Sequence, residues 1–214
     1  MPPILLRLTQ AQPRELAASL GAFVYFFALL AGYYVLRPIR DEMGIQVGQS
    51  ELQELFTAVF VATLLLVPIF GALTARFPRR HLLPWLYAFF IANLMGFYLL
   101  FDPAGDQAQW VARVFFVWVS VFNLFAVSVF WSFMADLFDT AQARRLYGFI
   151  AAGGTAGALA GPSLTASFVV LVGAKGMLLV SAGFLLVAIG AIFFLRRATA
   201  NPGDTASAAS EAPL

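Results

Sequence analysis

The chain has 214 residues, of which 61% are hydrophobic and only 11% are charged, and its mean hydropathy is +0.85. Soluble domains carry about 25% charged residues, so the composition excludes a water-soluble globular protein and indicates a membrane protein. The formal net charge is +2 with no basic block, which argues against a nucleic-acid polymer as partner. Cysteine is absent and His81 is the only histidine, which excludes disulfides, thiol chemistry and a multi-histidine metal site within the chain.

Six apolar runs are long enough to cross the hydrocarbon core, which takes about 20 residues. The first run is too long for the h-region of a signal peptide, and no small-x-small cleavage site follows it. We therefore predict an all-α membrane protein, with a six-helix transmembrane domain over residues 1–195 and a flexible linker or tail over 196–214. The predicted spans are 16–37, 52–75, 82–101, 110–135, 146–172 and 176–195.

The basic residues predict the orientation of these spans. Positive charge is enriched in cytoplasmic loops. The terminal segments and the loops on their side of the membrane carry nine arginines, whereas the opposite side carries four basic residues, which favours a cytoplasmic location for both termini. We expect an integral protein of a bacterial inner membrane. The nine are Arg7, Arg14, Arg76, Arg79, Arg80, Arg144, Arg145, Arg196 and Arg197, and the four are Arg37, Arg40, Arg113 and Lys175.

A charged cluster follows the first apolar run, in the stretch YYVLRPIRDEMG. Arg37, Arg40 and Asp41 share a helix face, because they are three or four residues apart. Arg37 is then placed to pair with Asp41, which leaves Arg40 for an anion, and the forked donors of arginine suit carboxylates and phosphates. Tyr33 and Tyr34 are candidates to stack on a bound solute or to hydrogen-bond it.

The alternative is that the first membrane span ends at Leu36. Arg37 and Arg40 then reach to the outer headgroups, and Asp41 and Glu42 begin a solvated loop. Two arginines on the non-cytoplasmic side oppose the positive-inside tendency, which favours a binding site over simple anchoring.

A second set of polar residues lies in the fourth span. Arg113, Ser120 and Asn123 fall within one arc of a helix. Asn123 either lines a polar path for the substrate or makes a hydrogen bond between helices.

The turn between spans 2 and 3 reads GALTARFPRRHLLPW. Its basic residues are explained by positive-inside anchoring alone. However, the order of Gly71, Arg76, Arg79 and Arg80 also resembles the loop 2–3 signature of the major facilitator superfamily. Two positions depart from the signature, because Ala75 replaces an aspartate and a proline replaces a glycine. In the family this aspartate belongs to a charge network that latches two halves together.

The fifth span contains Gly153, Gly157 and Gly161, which form one stripe that allows close packing of helix backbones. The spacing of Gly148, Gly157 and the pair Gly161–Pro162 also resembles a span 5 motif of antiporters in the same superfamily. That resemblance implies transport by exchange.

The segment FWSFMADLFDTAQARRLYGF is similar to the end of span 4 and the start of span 5 in nucleotide transporters of the ATP/ADP translocase type. The matching positions include Trp131, Arg144, Arg145 and Tyr147. The run from Leu36 to Asp41 resembles the end of span 1 in the same group. An interfacial tryptophan and a basic turn explain the first segment equally well. The resemblance implies a nucleotide or another organic anion as substrate.

Together these resemblances imply the N-terminal half of a major facilitator fold, a 3+3 inverted repeat. Such a secondary transporter works by alternating access and needs no cofactor or metal. The second half is either a missing C-terminal region or another copy of the chain. A non-transporting membrane scaffold or assembly subunit is the alternative. An intramembrane serine protease is disfavoured, because the sequence lacks a Gly-x-Ser-Gly motif and a histidine within a span.

Overall fold

The computed structural model describes residues 15–76, 79–101 and 108–199, and the regular structure in these ranges is α-helical. Each helix contains a stretch long and apolar enough to cross a membrane. The helices are α1 (Leu16–Val47), α2 (Gln49–Arg76), α3 (Arg79–Leu100), α4 (Ala108–Leu137) and α5 (Thr140–Thr199).

Helix α5 contains one non-helical residue, Gly173, with φ 72° and ψ 168°. This positive φ is unfavourable for residues that carry a Cβ, so glycine is the residue suited to the bend. Gly173 therefore divides α5 into two helical segments, Thr140 to Val172 and Ala174 to Thr199. The bend coincides with the predicted break between residues 172 and 176.

The chain reverses its direction along α1 at this bend. Before Gly173, α5 runs in the same direction as α1, because later residues of α5 contact later residues of α1. Gly153 lies against Phe23, and Thr165 bonds the carbonyl of Val35. After Gly173 the two helices run in opposite directions, because later residues of α5 contact earlier residues of α1. Ser181 bonds the carbonyl of Gly32, whereas Phe194 lies against Gly21. Both segments of α5 therefore pack on α1.

Helix α1 is the centre of the bundle. Tyr25, Leu29 and Leu36 are fully buried, and the rings of Phe130 and Phe133 of α4 contact Tyr25 edge-on. The ring of Phe130 stacks on Phe26 with centroids 4.1 Å apart, and the hydroxyls of Tyr25 and Tyr87 lie 2.6 Å apart. Because lipid removes the hydrophobic drive between helices, such packing and hydrogen bonding hold the bundle together.

Two hydroxyls of α5 bond backbone carbonyls of α1. Thr165 Oγ1 donates to the carbonyl of Val35 at 3.0 Å, and Ser181 Oγ donates to that of Gly32 at 2.9 Å. Pro38 lies within α1 and has no N–H, so it cannot complete the helical hydrogen bond to the carbonyl four residues earlier. The part of α1 that carries the arginines is thus attached to α5 beside a weakened turn.

Helix α2 contributes little to the core. Its apolar side chains point outwards, and Phe60 and Leu64 are 66% and 63% exposed. In a bilayer, apolar residues on the outer face of a helix contact lipid or another membrane-embedded surface. This leaves α2 attached mainly along α4.

Candidate functional site

The charged cluster of α1 is helical. Helix α1 continues past Leu36 to Val47, so Arg37, Arg40 and Asp41 project from regular helix. Asp41 and Glu42 therefore do not begin a loop, and that part of the alternative is wrong. The other part, in which the membrane span ends at Leu36 and the arginines reach the outer headgroups, stays a prediction, because a helix can continue beyond the bilayer.

The ion pairing within the cluster differs from the prediction. Arg40 is the close partner of Asp41, with Nη2 at 2.6 Å and Nε at 2.9 Å from Oδ1. Arg37 Nε lies 4.0 Å from Asp41 Oδ2. The predicted pair of Arg37 and Asp41 is therefore present as the longer contact, but Arg40 is not left free, because Asp41 holds it more closely. Arg37 is the less engaged arginine.

Helix α4 explains this difference, because it contacts Arg40 directly. Arg40 Nη1 donates to Ser120 Oγ at 3.2 Å, and its guanidinium carbon lies 5.1 Å from the centre of the Phe116 ring. The side chain is only 16% exposed, whereas that of Arg37 is 49% exposed. Packing on α4 thus turns Arg40 towards Asp41.

Ser120 connects the two predicted sets of polar residues. The sequence placed it on the polar arc of α4 but did not select it as a binding residue. It also donates to the carbonyl of Phe116 at 2.8 Å, which fixes the orientation of its hydroxyl. Asn123 is half-buried one turn further along this face of α4, beyond the arginine cluster.

The two tyrosines occupy different environments. Tyr33 is 6% exposed, and its ring contacts Phe122 in the core. Tyr34 is half-buried, and the guanidinium carbon of Arg37 lies 5.5 Å from the centre of its ring. A cation over an aromatic face is held electrostatically. Of the pair, Tyr34 is therefore the one that positions a site arginine.

Arg113 does not join this cluster, although the sequence placed it on the same arc. It forms an ion pair with Glu51 of α2, with Nη2 directed at Oε2. That contact draws Arg113 towards α2. The cluster at the α1–α4 contact therefore consists of two guanidinium groups, one carboxylate and one hydroxyl, with a net charge of +1.

Such a cluster suits an anion. The two guanidinium groups together have about ten N–H donors, more than the roughly six lone-pair sites of Asp41 and Ser120 can accept. Their forked arrangement matches carboxylate and phosphate oxygens. The excess of positive charge over Asp41 favours a negatively charged ligand. The low polarity of the surrounding bundle strengthens that attraction relative to water.

The predicted conformational residues are distributed over several elements. A Cβ on Gly161 would lie 2.6 Å from Tyr34 Cβ, and one on Gly157 would overlap the carbonyl oxygen of Phe27. Pro162 lies within α5 next to this contact. By contrast, a Cβ on Gly71 or Gly148 would meet nothing within 4 Å. Arg76 ends α2, Arg79 and Arg80 begin α3, and the intervening Pro78 lies outside the described residues.

The two arginines of the turn before α5 behave differently. Arg145 binds Glu15 through Nη1 and Nη2, at 3.2 Å and 3.0 Å from the two carboxylate oxygens, whereas Arg144 is exposed. Gln142 Nε2 donates to the same carboxylate at 3.1 Å. These bonds join the start of α1 to the start of α5. Sequence reasoning selected Arg145 but missed Glu15, because the two are 130 residues apart.

Replacing Arg145 with glutamine is expected to lower the free energy of unfolding by about 1–2 kcal/mol, because the pair is partly buried and bidentate. Thermal unfolding of the purified protein in detergent measures this. Arg144→Gln is the matched control, since it removes the same charge from the neighbouring exposed position. Equal melting temperatures for the two variants would contradict a role for the Glu15 contact.

The structure defines a polytopic helical membrane protein with a polar cluster between two of its spanning helices. A protein-family model described as Major Facilitator Superfamily matches residues 16–214. Because the match covers most of the chain, the protein belongs to the major facilitator superfamily and is a membrane transporter. No curated protein and no solved structure gave a match. The predicted membership in the superfamily is confirmed, and the resemblance to ATP/ADP translocase-type transporters stays a prediction.

Proposed function

We propose that this chain is a six-span half of a secondary transporter that moves a small organic anion by alternating access. Arg40 carries the proposal: it is 16% exposed, and Asp41 and Ser120 hold it at the contact between α1 and α4. Arg37, one turn earlier on α1, supplies the second positive charge. Tyr34 positions Arg37, and Asn123 is the polar residue available further along the path.

The directions of the helices support six spans with both ends on one side. The segment of α5 before Gly173 runs parallel to α1, and the segment after it runs antiparallel. The start of α1 and the end of α5 therefore lie at the same end of the bundle. The excess of arginine at that end supports a cytoplasmic location for both termini, in a bacterial inner membrane.

Nucleotides and other phosphorylated metabolites are the proposed substrates. Phosphate oxygens suit two arginines that lie one helical turn apart, and the resemblance of the run from Leu36 to Asp41 to nucleotide transporters favours the same class. Asp41 acts as the counter-charge that orients Arg40 when no substrate is bound. The superfamily in general supports a small solute, and the arginines supply the reason for an anion.

The proposed mechanism is exchange between two halves that rock against each other. Gly157, Gly161 and Pro162 have antiporter-like spacing, and their contact with α1 forms the proposed pivot. Arg76, Arg79 and Arg80 anchor the cytoplasmic face. The second half is a C-terminal region of a longer gene product or a second copy of this chain.

An equilibrium binding experiment tests the substrate class. The Arg37→Gln, Arg40→Gln double variant is expected to lose at least about 100-fold in affinity for radiolabelled nucleotides, because two charged partners of the anion are removed. Lys175→Gln is the matched control: it removes a positive charge predicted to lie on the same membrane side, where Lys175 packs on Tyr98 with Nζ 4.7 Å from the ring centre. Undiminished binding by the double variant would contradict the anion site and favour a scaffold role.

A further inference from the structure

A second candidate site lies between α2 and α4, next to the arginine cluster. A cavity of about 560 Å³ separates the two helices, and Val114 and Val121 line it. At 100° per residue, Val114 and Val121 project from one side of α4, and Ser120 projects from the edge of that side, close to Arg113. A cavity of about 330 Å³ continues it along α2 and shares Leu66 and Trp118 with it. The two together are called the α2–α4 groove below.

The groove is charged at one end only. Glu51, Glu54 and Arg113 line the end near the start of α2 and α4. Arg113 is already paired with Glu51, and Glu54 is exposed, so this end carries a net charge of −1. It therefore complements a cationic group and disfavours a ligand with a net negative head.

The remainder of the groove is apolar and has the length of one leaflet. Ala58 and Ala62 line its α2 side, and their small side chains leave room for a ligand. From Glu54 to Leu66 the helix rises about 18 Å, close to half of the roughly 30 Å hydrocarbon core. One acyl chain whose head lies at Glu54 matches this length.

Trp118 supplies an unused hydrogen-bond donor in the wall. Its ring lines both cavities, and its buried Nε1–H has no acceptor among residues 15–76, 79–101 and 108–199. Buried indole N–H groups usually have an acceptor. Trp118 lies about 8 Å beyond Arg113 along α4, between the charged end of the groove and its apolar remainder.

We propose that the α2–α4 groove binds one zwitterionic aminophospholipid from the leaflet at the Glu54 end. Its ammonium pairs with Glu54, its phosphate lies beside Arg113, and one acyl chain follows Ala58 and Ala62. The charge of the groove end selects this lipid over anionic phospholipids. The groove adjoins the anion site where Arg113 lies close to Ser120, but Arg37, Arg40 and Asp41 do not line it, and nucleotide binding measures the anion site separately.

Native mass spectrometry of the full purified protein tests the proposal with phosphatidylethanolamine and phosphatidylglycerol of identical acyl chains. We expect one retained phosphatidylethanolamine, preferred about tenfold over phosphatidylglycerol, because one ion pair distinguishes the two lipids. Glu54→Gln is expected to abolish the preference. Glu42→Gln, at an exposed acid of α1 outside the groove, is the matched control and is expected to keep it.

Two filling variants test the acyl-chain part of the groove independently. Ala58→Leu and Ala62→Phe are each expected to lower retention about fivefold or more by occupying the space of the chain. Val170→Phe, at an 88% exposed position on α5, is the control for added bulk at the surface. Equal retention of both lipids, preferential retention of phosphatidylglycerol, or unchanged retention in Glu54→Gln and in the filling variants would overturn the proposal. So would complete absence of retained lipid, which would indicate that another part of the transporter covers the groove.

Discussion

Gly161→Leu is expected to reduce the folded fraction of the protein more than any other single change considered. A Cβ at this position would lie 2.6 Å from Tyr34 Cβ and 2.9 Å from the carbonyl oxygen of Ala31. The nearest atoms belong to the backbone and the first side-chain carbon, so neither can move away without displacing α1. We expect a loss of about 3 kcal/mol or more in the free energy of unfolding, measured by thermal unfolding in detergent.

Gly148→Leu is the control, because the same change is made on the same helix where a Cβ meets nothing within 4 Å. It is expected to change stability by less than about 0.5 kcal/mol. Since Tyr34 positions Arg37, a Gly161 variant that still folds is also expected to bind the anion less tightly. Equal melting temperatures for the Gly161 and Gly148 variants would contradict the close contact of α1 with α5.

Arg40→Gln is expected to weaken anion binding far more than Arg37→Gln. Arg40 is held by Asp41, Ser120 and the Phe116 ring, so its guanidinium is already oriented before the substrate arrives. Removing it also leaves Asp41 without its close partner, as a negative charge beside the substrate. We expect a loss of about 100-fold in affinity for Arg40→Gln and about tenfold for Arg37→Gln.

Equilibrium dialysis with a radiolabelled nucleotide measures both affinities. Ser120→Ala isolates the contribution of the hydrogen bond from α4 and is expected to cost about fivefold. Lys175→Gln is expected to leave the affinity unchanged. If Arg37→Gln were the more damaging variant, the assignment of Arg40 as the principal anion ligand would be wrong.

The predicted spans agree with the helices where apolar runs alone determine them. The spans 52–75, 82–101 and 110–135 fall close to α2, α3 and α4, because long apolar runs in lipid form helices in order to satisfy their backbone hydrogen bonds. Hydropathy does not mark the end of the helix α1, since Arg37 to Glu42 lower the apolar character without breaking the helix. The bend at Gly173 lies between the two predicted spans 146–172 and 176–195 and contains no run of polar loop residues.

The proximity of the charged residues of α1 was predictable, but the closest pair among them was not. Helical spacing correctly indicated that Arg37, Arg40 and Asp41 lie near one another. Which arginine binds Asp41 is decided by Ser120 and Phe116 of α4, 80 and 76 residues away along the chain. Spacing within one helix contains no information about such contacts.

Spacing within one helix likewise could not identify the contacts of α1 with α5 or of α2 with α4. The glycine stripe indicated close packing but not its partner, which is the backbone of α1. The sequence placed Arg113 on the polar arc of α4, whereas the structure pairs it with Glu51 of α2. In both cases the missing information is the arrangement of helices that are distant in sequence.

Counterflow in proteoliposomes tests the central claim most directly. Vesicles that contain the full gene product are loaded with unlabelled nucleotide, and uptake of labelled nucleotide is followed over time. We predict transient accumulation of label with the wild-type protein and with Lys175→Gln, and none with the Arg37→Gln, Arg40→Gln double variant. Equal accumulation by the wild-type protein and the double variant, or no nucleotide or organic anion exchanged by the wild-type protein, would contradict an anion transporter built around these two arginines.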